Sequence, residues 1–167
     1  MDLLSFVMPG LYIDEGTSLK ASVGNDGHFS AQLSSNRLAF ETNYLKGIDA
    51  RFENTDDALD GLVTCSELKI SSLSLNDSHL NLHGADNHVG LKFDYLSDSE
   101  LINKGELILH SALSRDDDGL GIGVSFLPSS IFLSSKEWMF KPSELFLKNG
   151  NLDVKTFELA SGDERIR

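Results

Sequence analysis

The chain has 167 residues, of which 40% are hydrophobic and 24% are charged, and its formal net charge is −12. This length suits one domain with a core of ordinary size, and the composition excludes a disordered tail and a membrane-embedded chain. The acidity argues against a nucleic-acid partner, because binding of phosphates needs clustered lysine and arginine. Cys65 is the only cysteine, which excludes an internal disulfide.

Alternation of apolar and polar residues predicts β-strands along almost the whole chain. In chain order, the alternating segments cover residues 18–23, 28–33, 37–45, 48–54, 68–84, 88–96, 105–113 and 120–126, and shorter segments follow up to the C-terminus. Turn-forming residues separate these segments at 25–27, 56–57, 76–78, 86–87, 116–119 and 149–150. About a dozen short strands are therefore predicted, at the spacing typical of all-β proteins.

Each predicted strand has one apolar face, and residues 68–84, LKISSLSLNDSHLNLHG, are the longest example. An apolar face has to be covered, either in a two-sheet sandwich, in a closed barrel, or by one long sheet that bends over itself. We predict an all-β domain over residues 1–167, built as one elongated, curved sheet that folds over its apolar face and leaves an open, taco-like groove. The two-sheet sandwich is the alternative.

No arrangement of residues in the sequence is typical of catalysis or of metal binding. The run Asp116-Asp117-Asp118-Gly119 lacks the ligand spacing of a calcium loop and is interpreted as a hairpin turn. On a strand, His79 and His83 would lie about 13 Å apart, on the polar face, which is too far apart to share one metal ion. We therefore predict a protein that is not an enzyme and has no cofactor or metal.

The C-terminal quarter of the chain carries a resemblance to a known family. The sequence from residue 126 to residue 167 contains Leu127-Pro128-Ser129, then Glu137-Trp138, then the paired strands that end in Asp153–Phe157. It resembles the repeated segment of TamB-like proteins, which belong to the AsmA-like, bridge-type lipid transfer family, and in particular that of the large Bacteroidetes versions. A strand led by Gly105 and the pair Gly16-Thr17 extend the resemblance over nearly the whole chain.

The resemblance implies a periplasmic segment of a protein that bridges the inner and outer membranes. Such a protein transports phospholipids and assists outer-membrane protein assembly and translocation. It is held in the inner membrane by a part of the full-length protein that is absent here. The implied partners are lipid acyl chains and an outer-membrane assembly protein of the BamA/TamA type. Since a new alternating segment begins at the C-terminus, we expect this chain to be an internal piece of a longer, repeat-built protein.

The groove is expected to be lined by inward-facing apolar residues of the central strands. The predicted lining residues are Leu73, Leu75, Leu80, Leu82, Leu91, Phe93, Leu107, Leu109, Ile122 and Val124. Substitution of aspartate at Leu91 or Ile122 should then unfold the domain or block lipid passage. The alternative function is a structural or adhesive β-domain with a filled core, which binds protein partners. Pairing of edge strands between copies of the chain is a further expected contact.

Overall fold

The computed structural model describes residues 10–55, 57–71, 73–97, 103–116, 119–133, 136–149 and 151–166. Within these ranges the chain forms fifteen strands of a single antiparallel sheet. Their bounds are β1 Leu11–Ile13, β2 Ser18–Val23, β3 Phe29–Phe40, β4 Asn43–Thr55, β5 Ala58–Ile70, β6 Leu73–Ala85, β7 His88–Ser97, β8 Asn103–Asp116, β9 Gly119–Phe126, β10 Ser129–Leu133, β11 Lys136–Phe140, β12 Ser143–Lys148, β13 Asn151–Thr156, β14 Leu159–Ser161 and β15 Glu164–Ile166.

The sheet is a meander, in which the chain runs back and forth and each long strand pairs with the next. Several of the shorter strands are two parts of one long strand, because β1 and β2 share one edge of β3, and β9 and β10 share one edge of β8. The sheet is neither closed nor strongly curled. The predicted all-β class and single sheet are confirmed, whereas the described strands do not form the alternative two-sheet sandwich.

The strands are longer than the predicted segments, and two of the turns between them lie inside segments that were predicted to be continuous strands. The predicted segments 28–33 and 37–45 both contribute to β3, and the turn that follows β3 comes at Glu41, which has a φ of 55°. The segment 68–84 is divided by a turn at Ser71, with a φ of 56°, so Leu68 and Ile70 belong to β5. The alternation pattern alone did not locate either turn.

The turn predicted at residues 76–78 is wrong, because these residues lie inside β6. Asp77 has a φ of 43°, and the register between β6 and β7 shifts between Asn76 and His79. Aspartate tolerates the left-handed conformation both in turns and in bulges, so its sequence signal is the same in the two cases.

Other predicted turns agree with the structure where it describes them. Asp86 and Asn87 have φ values of 50° and 62° between β6 and β7, and residues 25–27 separate β2 from β3. Residues 56, 117, 118 and 150 lie outside the described ranges, so the turns predicted at 56–57, 116–119 and 149–150 are described only in part.

Five of the buried residues form a narrow belt across strands β3 to β7, and the other buried residues lie elsewhere on these strands and near the C-terminal end of the sheet. On the successive strands β3 to β7 the belt consists of Ser35, Ile48, Cys65, Ser78 and Tyr95. Burial raises the pKa of the Cys65 thiol and the pKa of the Tyr95 phenol. The Tyr95 hydroxyl donates a hydrogen bond of 3.0 Å to the carbonyl of Phe132, which links the belt to β10.

An internal repeat lies where two long C-terminal strands are interrupted. Residues 126–133, FLPSSIFL, and residues 140–147, FKPSELFL, share the pattern Phe-x-Pro-Ser-x-(Ile/Leu)-Phe-Leu. Phe126 and Phe140 stack with ring centroids 5.7 Å apart, and Phe157 packs edge-on against both rings. Pro128 lies between β9 and β10, and Pro142 lies between β11 and β12, so each proline interrupts one long strand.

The serine of each repeat donates a hydrogen bond to the carbonyl two residues before it, and Ser129 also accepts one from a backbone N–H. Ser129 Oγ accepts a hydrogen bond of 2.9 Å from the N–H of Ile108 and donates one of 2.8 Å to the carbonyl of Leu127. Ser143 Oγ donates in the same way to the carbonyl of Lys141, at 2.8 Å. Both serines are buried, so these hydrogen bonds satisfy polar groups that water does not reach.

Replacing Ser129 with alanine should lower the free energy of unfolding by about 1–3 kcal/mol, because the N–H of Ile108 would lose its acceptor in a buried place. Urea unfolding followed by circular dichroism measures this change. Ser130→Ala is the matched control, since Ser130 is the next residue and lies opposite Glu106 in the regular ladder. An equal loss in both variants would contradict the role assigned to Ser129.

Candidate functional site

Two uninterrupted rows of apolar residues cross one face of the sheet. Residues directly opposite each other on neighbouring strands project to the same face. The first apolar row consists of Leu19, Leu33, Ala50, Val63, Leu80, Phe93 and Leu107. The second apolar row consists of Ala21, Ala31, Phe52, Gly61, Leu82, Leu91, Leu109 and Phe126. Together they define the apolar face.

The structure brings most of the predicted lining residues together on this face. Leu80, Phe93 and Leu107 belong to the first apolar row, and Leu82, Leu91 and Leu109 belong to the second apolar row. Val124 and Ile122 lie on β9, where Ser111 and Leu113 of β8 are their neighbours. Leu73 and Leu75 lie in β6 before the bulge at Asp77 and are paired with Ile70 and Leu68.

The two apolar rows also contain residues of β3 to β5 that were not among the predicted lining residues. They are Leu33, Ala50, Phe52 and Val63, and their alternation was visible in the sequence without showing which strands would be neighbours. Gly61 gives space to one of these side chains, since a Cβ atom there would lie 2.7 Å from the ring of Phe52.

No second layer of described residues covers the apolar face. Apart from Ala50, every residue of the two apolar rows is only half-buried or exposed. The chain has an accessible surface of 11425 Å², whereas a compact protein of its mass has about 8,100 Å². A larger accessible surface is expected for a single-layer sheet, because no second layer of the protein packs on the side chains of the apolar rows.

The opposite face is polar, and its side chains pair across strands. His83 Nδ1 lies 2.7 Å from Asp60 Oδ1, and His79 Nδ1 lies 3.2 Å from Asp94 Oδ1. The position predicted for these histidines, on the polar face, is therefore confirmed. Lys92 Nζ lies 2.7 Å from Glu106 Oε2, and this ion pair raises the pKa of Lys92.

A depression of about 900 Å³ lies on this polar face. Its lining comes mostly from polar-face residues such as Gln32, Arg51, Asn81 and Lys92, and the second apolar row borders it at Leu82 and Leu91. The depression extends from β2 to β8. The two apolar rows form a platform on the opposite side of the sheet.

A cluster of charges surrounds Tyr44 near the start of β4. The Arg37 guanidinium lies 5.2 Å from the centre of the Tyr44 ring, and Lys46 Nζ lies 4.7 Å from it. Glu67 accepts hydrogen bonds from Lys46 and Tyr44, and these bonds hold the pKa of Glu67 below its usual range. The hydrogen bond to Glu67 raises the pKa of both donors.

The lowered pKa of Glu67 predicts a loss of stability in acid. Its folded-state pKa lies below the unfolded value, so its contribution is present above the unfolded pKa and disappears as the pH falls through the folded pKa. In urea unfolding, Glu67→Gln should therefore be less stable than the wild type at pH 7, and the difference should shrink below about pH 4. A difference that does not change with pH would contradict the proposed ion pairing.

The described residues provide neither a metal centre nor a membrane-spanning helix. Among them, no group of three or more His, Cys, Asp or Glu side chains is arranged to hold a metal ion. No helix within the described ranges is long and apolar enough to cross a bilayer. Comparisons with protein-family models, curated proteins and solved structures found no match to this chain.

Proposed function

We propose that the chain is a lipid-handling segment of a periplasmic protein that bridges the inner and outer membranes. In this proposal the apolar face holds acyl chains during phospholipid transport and outer-membrane protein assembly. One observation carries the proposal: the two apolar rows are continuous across the sheet and have no cover among the described residues. Large uncovered apolar surfaces are rare in soluble proteins and mark sites of interaction with other molecules.

The dimensions of the second apolar row suit acyl chains. It runs from β2 to β9, and at about 4.8 Å per strand it is roughly 34 Å long. An acyl chain spans about half of a hydrocarbon layer that is roughly 30 Å thick. The row could thus hold a chain at several successive positions. Each buried methylene contributes about 0.8 kcal/mol, so contact alone can hold an acyl chain without a polar group that selects it.

The remaining parts of the proposal depend on the resemblance of residues 126–167 to the repeated segment of TamB-like proteins. We propose that further strands of a longer protein, or bound lipid, curl the sheet over its apolar face and deepen the platform into a groove. An outer-membrane assembly protein of the BamA/TamA type would be the protein partner. The alternative is a structural or adhesive domain, which requires a filled core. It is less favoured because only eight hydrophobic residues are buried among the described ones.

Photo-crosslinking at two neighbouring positions on opposite faces tests the proposal. A benzophenone amino acid is introduced at Leu91, on the apolar face, or at Lys92, on the polar face of the same strand. After expression in the bacterial periplasm and irradiation, mass spectrometry of the purified protein identifies the adducts. We expect phospholipid adducts at position 91 and few at position 92. Equal labelling at the two positions would indicate general adhesion, and protein adducts alone at position 91 would favour the adhesive domain.

A further inference from the structure

The strand β2 lies at an edge of the sheet that the described strands form. Among the described strands it pairs only with β3, and all six of its residues are exposed. Leu19 and Val23 are 71% and 77% exposed, the highest values among the large hydrophobic residues that are described. The strand has no proline and its pairing with β3 has no bulge, so it lacks two devices with which proteins block the edges of sheets.

The hydrogen bonds around the following turn show which backbone groups of β2 are unpaired. The N–H of Gly24 donates to the carbonyl of His28 at 2.7 Å, so the peptide groups of Gly24 point toward β3. Peptide groups of successive residues in a strand point to opposite edges. Leu19, Ala21 and Val23 therefore direct their N–H and C=O groups away from β3, where no described strand receives them.

We propose that two copies of the chain associate through β2 to form a closed, two-fold symmetric dimer. In the antiparallel register that we infer, Ala21 lies opposite Ala21 of the second copy, and Leu19 lies opposite Val23. This register pairs all three outward residues and forms about six backbone hydrogen bonds. It also extends the apolar face from one copy into the next. Lys20 lies opposite Ser22 on the polar face, so no like charges meet. The inference does not depend on lipid binding.

The other edge that the described strands form is less suitable for either symmetric or head-to-tail pairing. Lys148 is paired with Asn151 at the start of β13, and a pair in this position of a two-residue hairpin is hydrogen-bonded. Leu152 and Val154 therefore direct their backbone N–H and C=O groups away from β12. If Leu152 of one copy paired with Val154 of another, Asp153 would lie opposite Asp153, and like charges in that position are destabilising. Head-to-tail pairing of β2 with β13 would bring β1 of the second copy to the edge of β14 that β15 already occupies.

A disulfide trap tests the register directly. Residues that face each other in a hydrogen-bonded antiparallel pair have Cα atoms about 5.5 Å apart, which suits a disulfide. The variant Ala21→Cys is oxidised at high protein concentration and analysed on a non-reducing gel. Leu19→Cys is the matched control: its side chain is more exposed, but it would lie about 13 Å from Leu19 of the second copy. The wild type controls for Cys65, which is buried.

We expect a covalent dimer of Ala21→Cys at least several-fold more abundant than that of Leu19→Cys. In analytical ultracentrifugation, Ala21→Pro should reduce the dimer fraction of the otherwise unchanged protein, because proline removes the central N–H donor while the pairing with β3 is kept. Equal trapping at positions 19 and 21 would overturn the proposal. A ladder of trimers and larger species from the double variant Ala21→Cys, Leu152→Cys would overturn it in favour of head-to-tail pairing.

Discussion

Replacing Gly105 with alanine is expected to lower the free energy of unfolding by about 1–3 kcal/mol, because the new methyl group would overlap a buried ring. A Cβ atom at Gly105 would lie 2.5 Å from Cε1 of Tyr95 and 2.8 Å from its hydroxyl oxygen. The ring cannot move away easily, since Tyr95 is buried and its hydroxyl donates a hydrogen bond to Phe132. Urea unfolding measures the change.

Gly84→Ala is the matched control for Gly105→Ala. Gly84 also lies in a central strand, but its nearest neighbours to an added Cβ are 3.7 Å away, which is an ordinary contact. We expect Gly84→Ala to change the stability by less than about 1 kcal/mol. A double-mutant cycle isolates the overlap: in a Tyr95→Leu background, Gly105→Ala should cost less than in the wild type. If the cost were the same in both backgrounds, the ring of Tyr95 would not be its cause.

The alternation of the sequence predicted the fold class because each strand has one apolar face. It could not predict the strand lengths, since Asp77 and Ser71 both adopt positive φ, one in a bulge and one in a turn. Whether such a residue forms a bulge or a turn depends on which strands are neighbours and on their register, and the local sequence does not specify either. The stacking of Phe126 on Phe140 has a signal in the sequence, namely the Phe-x-Pro-Ser pattern that recurs 14 residues later and that neither segment shows alone.

Six of the predicted lining residues lie in the two apolar rows because cross-strand neighbours share a face. Leu82, Leu91 and Leu109 lie on the consecutive strands β6, β7 and β8, and each is directly opposite the next. Leu73 and Leu75 were separated from them by the bulge at Asp77, where the period of two is interrupted. The degree of curl depends on how twist accumulates over many strands, and alternation carries no information about this.

Replacing Leu91 with aspartate should reduce acyl-chain binding at least about tenfold if the apolar face holds lipid. The variant loses an apolar contact worth about 1.5–3 kcal/mol and forces a bound chain to lie against a carboxylate. Leu91 lies between Leu82 and Leu109 in the second apolar row and is only half-buried. Its carboxylate would thus remain accessible to water in the lipid-free protein, and the fold should persist. Titration with a fluorescent fatty acid measures the binding, and circular dichroism checks the fold.

Asn81→Asp is the matched control, because it adds the same charge on the polar face. Asn81 lies directly opposite Lys92, so the new carboxylate would have a cation beside it. We expect this variant to bind the fatty acid like the wild type. A folded Leu91→Asp variant with unchanged binding would exclude the second apolar row as the acyl-chain site. An equal loss of binding in both variants would instead indicate that the added negative charge repels the fatty-acid carboxylate, and a neutral acyl probe separates these two causes.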